Sequence, residues 1–76
     1  MVRYKGSVQL KRIAQGSKSE RWAVMLVTRG GEYVLRRAGG NPFRDEVLEG
    51  LVGRHLSFVG QLHGQTLIVS SWQDPG

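Results

Sequence analysis

The sequence predicts an all-β domain: a small five-stranded Greek-key barrel with one short helix between the third and fourth strands. Three observations predict it. Strand-length apolar runs alternate with glycine-bearing polar turns. The segment from Asp45 to Val52 carries a helix start signal and a helical apolar stripe. The chain has 76 residues, enough for a single domain.

The first strand is read from Gly6 to Ala14. Val8 and Leu10 point one way, and Ser7, Gln9 and Lys11 the other. Arg12-Ile13 breaks the alternation, which predicts a bulge or bend there. Gln15 to Glu20 is a polar loop with one glycine. Arg21 to Thr28 is the second strand, apolar on both faces from Trp22 through Val27. A half-exposed antiparallel strand should alternate, so its outward side is expected to be covered by the first strand, a second protomer or a ligand. Arg29-Gly30-Gly31-Glu32 is a tight hairpin connection, with both glycines able to supply positive φ. In the third strand, Glu32 to Arg37, Tyr33 and Leu35 share one face and Val34 and Arg36 the other.

Glycines and Pro42 exclude regular structure from Ala38 to Asp45. A bulky Phe43 in that loop is expected to plug one end of the barrel. Asp45 is the expected N-cap, Glu46 and Glu49 suit the early helix, and Gly53 sits where a C′ glycine belongs. Val47, Leu48, Leu51 and Val52 form one apolar stripe over about two turns. His55 to Leu62 and Gln65 to Trp72 then pair as a hairpin around His63-Gly64. Leu56, Phe58 and Leu62 share a face with Gly60, which marks a bend or a close backbone approach. In the fifth strand Leu67 and Val69 oppose Ile68, Ser70 and Trp72. The tail, Gln73 to Gly76, is expected to fray.

Composition narrows the function classes. There is no cysteine, which excludes disulfides, thiolate metal sites and a cysteine nucleophile. Eleven Lys and Arg against six Asp and Glu give a net charge of +5. That favours a polyanionic partner, or serves solubility. The run from Trp22 to Val27 is far short of a bilayer span, so no membrane association is expected. Met1 to Lys5 has no apolar run behind it to make a signal peptide, so the expected location is the cytoplasm.

The back half of the chain carries a resemblance. Leu48-x-x-Leu51-Val52-Gly53-Arg54-x-Leu56, followed by Gly60-x-Leu62-x-Gly64-x-x-Leu67, resembles OB-fold domains of the anticodon-binding and single-strand-binding type. The element order strand, strand, strand, helix, strand, strand resembles the same fold over nearly the whole chain. An SH3-like barrel is the alternative, although that architecture does not call for a helix here. The chain also resembles small stand-alone bacterial proteins, a likeness that carries no activity with it. The OB-fold resemblance implies a ligand face on the second and third strands, flanked by the first loop and the last hairpin. There it places Lys18, Arg21, Tyr33, Arg36, Arg37 and His63 as nucleic-acid-binding residues, with Ser17, Ser19 and Gln65 beside them. Cations would hold phosphate, and Tyr33 and Trp22 would stack bases. Arg36 and Arg37 alternate, so only one of them can face a groove.

Other chemistry finds no support in the sequence. Gly16-Ser17-Lys18-Ser19 lacks the spacing of a nucleotide-binding P-loop. His55 and His63 have no third ligand on a matching spacing. Asp45, Glu46 and Glu49 suit the N-terminal half of a helix, where carboxylates complement the dipole. No catalytic residue, metal or cofactor is expected, and the chain reads as a non-enzyme. Two functions follow. One is a single-stranded DNA- or RNA-binding module, electrostatic and weakly sequence-specific. The other is a protein-interaction or accessory module, homodimeric through the second-strand face that carries Trp22 and Met25.

Overall fold

Five runs form strands, four with one apolar face turned inward and the second apolar on both faces, and no single strand can bury such a face alone. In the computed structural model, which describes residues 1–13, 16, 18, 21–40 and 45–75, the strands solve this by closing on each other. They are β1 (Val2–Ile13), β2 (Arg21–Thr28), β3 (Gly31–Arg37), β4 (His55–His63) and β5 (Thr66–Gln73). A short helix, α1 (Glu46–Glu49), lies between β3 and β4. The ring order is β1-β2-β3-β5-β4, with β4 returning to β1. Every pairing is antiparallel except β3 with β5.

The inward row of each strand builds the core. Val8 lies opposite Leu26, Leu35 beside Leu67, and Gly60 opposite Val69. Phe58, Leu56, Val24, Leu48 and Leu51 complete the buried cluster. Leu56, Phe58 and Gly60 share the inner face of β4, as the sequence predicts, whereas Leu62, on the same side opposite Leu67, is 38% exposed. A Cβ at Gly60 would collide with the carbonyl of Ile68, so the glycine marks a close backbone approach.

β1 differs from its expected form. It begins at Val2, and its register with β2 runs unbroken from Ser7 opposite Val27 to Ile13 opposite Arg21. There is no bulge at Arg12-Ile13. The strand instead changes partner near Gly6: residues 2–7 pair with β4 and residues 7–13 with β2. A Cβ on Gly6 would meet the Val27 carbonyl, so only glycine lets β2 pack this close.

β5 differs as well. Val59 faces Ser71, but Gly60 faces Val69, which leaves Ser70 as an extra residue in the ladder. Its Oγ donates to the Val59 carbonyl at 3.1 Å. The bulge shifts the parity of everything after it. Trp72 therefore sits opposite Phe58, with ring centroids 6.0 Å apart, and packs on the core instead of facing outward with Ile68. β5 also extends to Gln73, opposite Ser57.

The helix starts where expected and ends sooner. Asp45 Oδ1 accepts from the amides of Val47 and Leu48 at 3.0 and 3.4 Å. After one turn Gly50 caps the helix, and a further turn ends at Gly53, whose φ is 94°. Leu48 and Leu51 of the stripe are buried, whereas Val47 and Val52 are exposed. The turn is tied to β1: Gly53 N donates to the Val8 carbonyl at 2.8 Å, and Val8 N to that of Arg54 at 2.9 Å. Phe43 and its neighbours Asn41 and Pro42 lie outside the described residues, as do Ser17 and Ser19. Among the described residues no helix is long and apolar enough to cross a membrane.

Candidate functional site

The register sorts the candidate residues onto two sides of the sheet. On the outer side, Gln9, Met25, Val34, Thr66 and His63 are successive neighbours across five strands. One row further, Lys11 faces Ala23, and Arg36 is partnered by Ile68. Arg21 lies beyond Ala23 on the same side of β2. Arg21 and Arg36 are exposed. The outer side thus gathers Lys11, Arg21 and Arg36 toward one end, with His63 exposed at the last hairpin.

Met25 is on this outer side but is buried, 8% exposed. The chain itself covers it. Lys11 on β1 and Glu32 on β3 join at 2.6 Å across β2. This fits a strand apolar on both faces: Ala23 and Met25 are buried, Lys11 is opposite Ala23, and the Lys11–Glu32 pair spans β2, where charged side chains can lay their apolar stems.

Trp22 points to the other side, with Val24 and Leu26, but past the end of the ring. It is 60% exposed. Arg12 is directly opposite it, Arg21 precedes it, and exposed Lys18 lies in the connection between β1 and β2. Leu10, a diagonal neighbour of Trp22, is 47% exposed. β1 and β2 therefore outrun the ring and carry an aromatic face bordered by cations. Trp22 and Met25 lie on opposite sides of β2, so they do not form one interaction face.

Two expected ligand residues are engaged elsewhere. Tyr33 stacks on Tyr4, with ring centroids 4.8 Å apart and 20° between the planes, and both rings pack against the core. Burial, then the neighbouring Tyr4 hydroxyl, pushes the Tyr33 phenol above its ordinary pKa. Arg37 Nε donates to Asp45 Oδ2 at 2.6 Å. That hydrogen bond holds the Asp45 carboxyl below the usual carboxylate range, helped by the amides of Leu48 and Val47 and opposed by its burial. Arg37 thereby fastens the helix start to β3, and Arg36 is the member of the pair left facing solvent.

Sequence reasoning passed over Arg12. Its signal was available: an unbroken alternation through residue 13 puts it on the side of Val8 and Leu10, across from Trp22. His55 and His63 stand at opposite ends of β4. Among the described residues, no three His, Asp or Glu side chains gather as metal ligands would. The site can offer an aromatic plane and positive charge. Compared with known protein families, with curated proteins and with solved structures, the chain has no match.

Proposed function

We propose that this chain is an OB-type module that binds single-stranded nucleic acid with weak sequence preference. The ring order, the parallel β3–β5 pair and the helix between β3 and β4 support the fold reading. One observation carries the functional reading: Trp22, a large aromatic, is left 60% exposed at the protruding end of β1 and β2, with Arg12 directly opposite, Lys18 in the adjoining connection and Arg21 on the reverse side of the same strand, on a chain of net charge +5. A solvent-facing indole among cations suits a flat, anionic polymer. A base would stack on Trp22, worth about 1–3 kcal/mol, and the strand would pass over the protruding edge of β1 and β2 to the outer side, where Lys18, Arg21 and Arg36 neutralise phosphates. This reading gives the stacking to Trp22, since the Tyr33 ring is already stacked on Tyr4.

Fluorescence anisotropy of a labelled single-stranded oligonucleotide tests this at low and physiological salt. The proposal expects binding that weakens steeply as salt rises. Absence of binding at both salts refutes it.

Leu10 beside Trp22, with Val47 and Val52 exposed near the helix, favours a second reading as a protein-docking or self-associating module. Light scattering over a range of concentrations distinguishes the two. A salt-independent dimer supports the second reading.

A further inference from the structure

The point where β1 changes partners leaves a gap in the outer wall. Beyond Val27, opposite Ser7, the end of β2 no longer pairs with β1, while β1 runs on beside β4. The gap is an open cleft of about 530 Å³ lined by Lys5, Gly6, Val27, Thr28, Arg29 and His55. Its volume falls within the range of small-ligand sites.

The lining has one sign of charge. Lys5 is a cation within β1, Arg29 one in the turn after β2, His55 adds an imidazole from the start of β4, and no carboxylate is among the described residues that line the cleft. Three described carboxylates are engaged elsewhere: Glu32 with Lys11, Asp45 with Arg37, and Asp74 with Arg54. Lys5, Arg29 and His55 have no ion-pair partner among the described residues. Arg3 continues the same outer row of β1, two residues from Lys5. The backbone around the cleft is fixed. Gly6 seats β2 directly on β1, and Thr28 Oγ1 accepts from the amides of Gly30 and Gly31 at 3.2 and 3.1 Å while donating to the Gly31 carbonyl at 2.7 Å. Arg29 therefore starts from a braced turn, and its guanidinium fork is suited to a tetrahedral oxyanion.

We infer that this cleft binds a phosphoryl group, held by Lys5, Arg29 and His55, at a site separate from the Trp22 surface. The separation follows from β1 itself. Lys5 and Arg12, the residue facing Trp22, lie seven positions apart on an extended strand, roughly 23 Å. The group could belong to a free phosphorylated small molecule or to the 5′ end of a nucleic-acid strand, and both present the same chemistry.

Amide chemical shifts followed by NMR during titration with inorganic pyrophosphate test the site. The expected result is saturable shifts at Gly6, Thr28, Arg29 and His55. Binding should weaken about tenfold or more in Arg29→Ala and in Lys5→Ala, as loss of a charge-assisted hydrogen bond predicts. Both side chains are at the surface, and unchanged melting temperatures for the variants confirm that the fold is kept. Absence of saturable shifts overturns the inference. So does equal affinity in the variants, or shifts confined to Lys18, Arg21 and Arg36. A 5′-phosphorylated oligonucleotide that shifts the same amides, where its 5′-hydroxyl counterpart does not, assigns the group to a strand end. Shifts with adenosine monophosphate and pyrophosphate alone assign it to a small molecule. Because Trp22 is remote, a negative result in the cleft leaves the reading of the Trp22 surface standing, and the reverse holds too.

Discussion

Lys11 Nζ meets Glu32 Oε1 at 2.6 Å, joining β1 to β3 across the strand that lies between them. Lys11 faces Ala23 and Glu32 faces Val27, so the bridge passes over Met25. Both partners are well exposed, and such pairs contribute less than about 1 kcal/mol. Glu32→Gln should therefore change stability by less than about 1 kcal/mol in chemical denaturation. It should also strengthen oligonucleotide binding at low salt, because Lys11 is released beside Arg21 and Arg36. Unchanged or weaker binding would count against a phosphate-tracking role for this side of the sheet.

Asp45 sets a pH dependence. Its carboxyl is 8% exposed, caps α1 and accepts from Arg37, and its folded pKa lies below the ordinary value. A depressed folded pKa stabilises the fold above the unfolded pKa of about 3.9, and that stability is lost as pH falls through the folded value. The melting temperatures of wild type and Asp45→Asn should differ at pH 7 and converge as the pH drops below about 4. A constant gap down to pH 2 would contradict this. Asp45→Ala, which removes the cap as well, should cost about 0.5–2 kcal/mol from the cap alone at neutral pH.

The glycines separate into those that permit the ring and those that do not matter to it. Gly6→Ala and Gly60→Ala each drive a methyl into a backbone carbonyl, of Val27 and of Ile68. Each should destabilise by about 1–3 kcal/mol or more, with loss of cooperative unfolding in the worse case. Gly30→Ala has open space around the new methyl, and its φ is not positive. It should stay within about 0.5 kcal/mol of wild type. Thermal melts of the three variants check the contrast.

The element order, the helix cap at Asp45 and the inner face of β4 are legible in the sequence because each rests on local chemistry: a 2-residue period, a capping carboxylate, and a glycine among inward side chains. What escapes it depends on partners distant in the chain. The Ser70 bulge answers a one-residue mismatch between β4 and β5, and no local signal says that Trp72 then turns inward. Arg12-Ile13 looks like a break in alternation because the reading assumes that every inward residue meets the core. β1 and β2 outrun the ring, so Leu10 and Trp22 occupy inward positions with little beneath them. Tyr33 reads as a groove residue until Tyr4, from an N-terminal stretch read as preceding the first strand, closes on its ring. Arg37 reads as a ligand cation until Asp45, eight residues on, folds back to it. What the sequence does not show is which of these candidates the fold itself engages. Arg21, Arg36 and Trp22 are surface groups, whereas Tyr33, Arg37 and Met25 are taken up by the fold.

The most direct test of the account is the salt dependence of single-stranded oligonucleotide binding, measured by anisotropy for wild type, Arg21→Ala and Trp22→Ala. Three phosphate contacts through Lys18, Arg21 and Arg36 predict a slope of log K against log salt near −2, at roughly −0.7 per contact. Arg21→Ala should reduce that slope by about 0.7. Trp22→Ala should leave the slope unchanged and lower the affinity by about 5- to 150-fold, the value of one stacked base. An affinity indifferent to Trp22 and a slope indifferent to Arg21 would contradict the account.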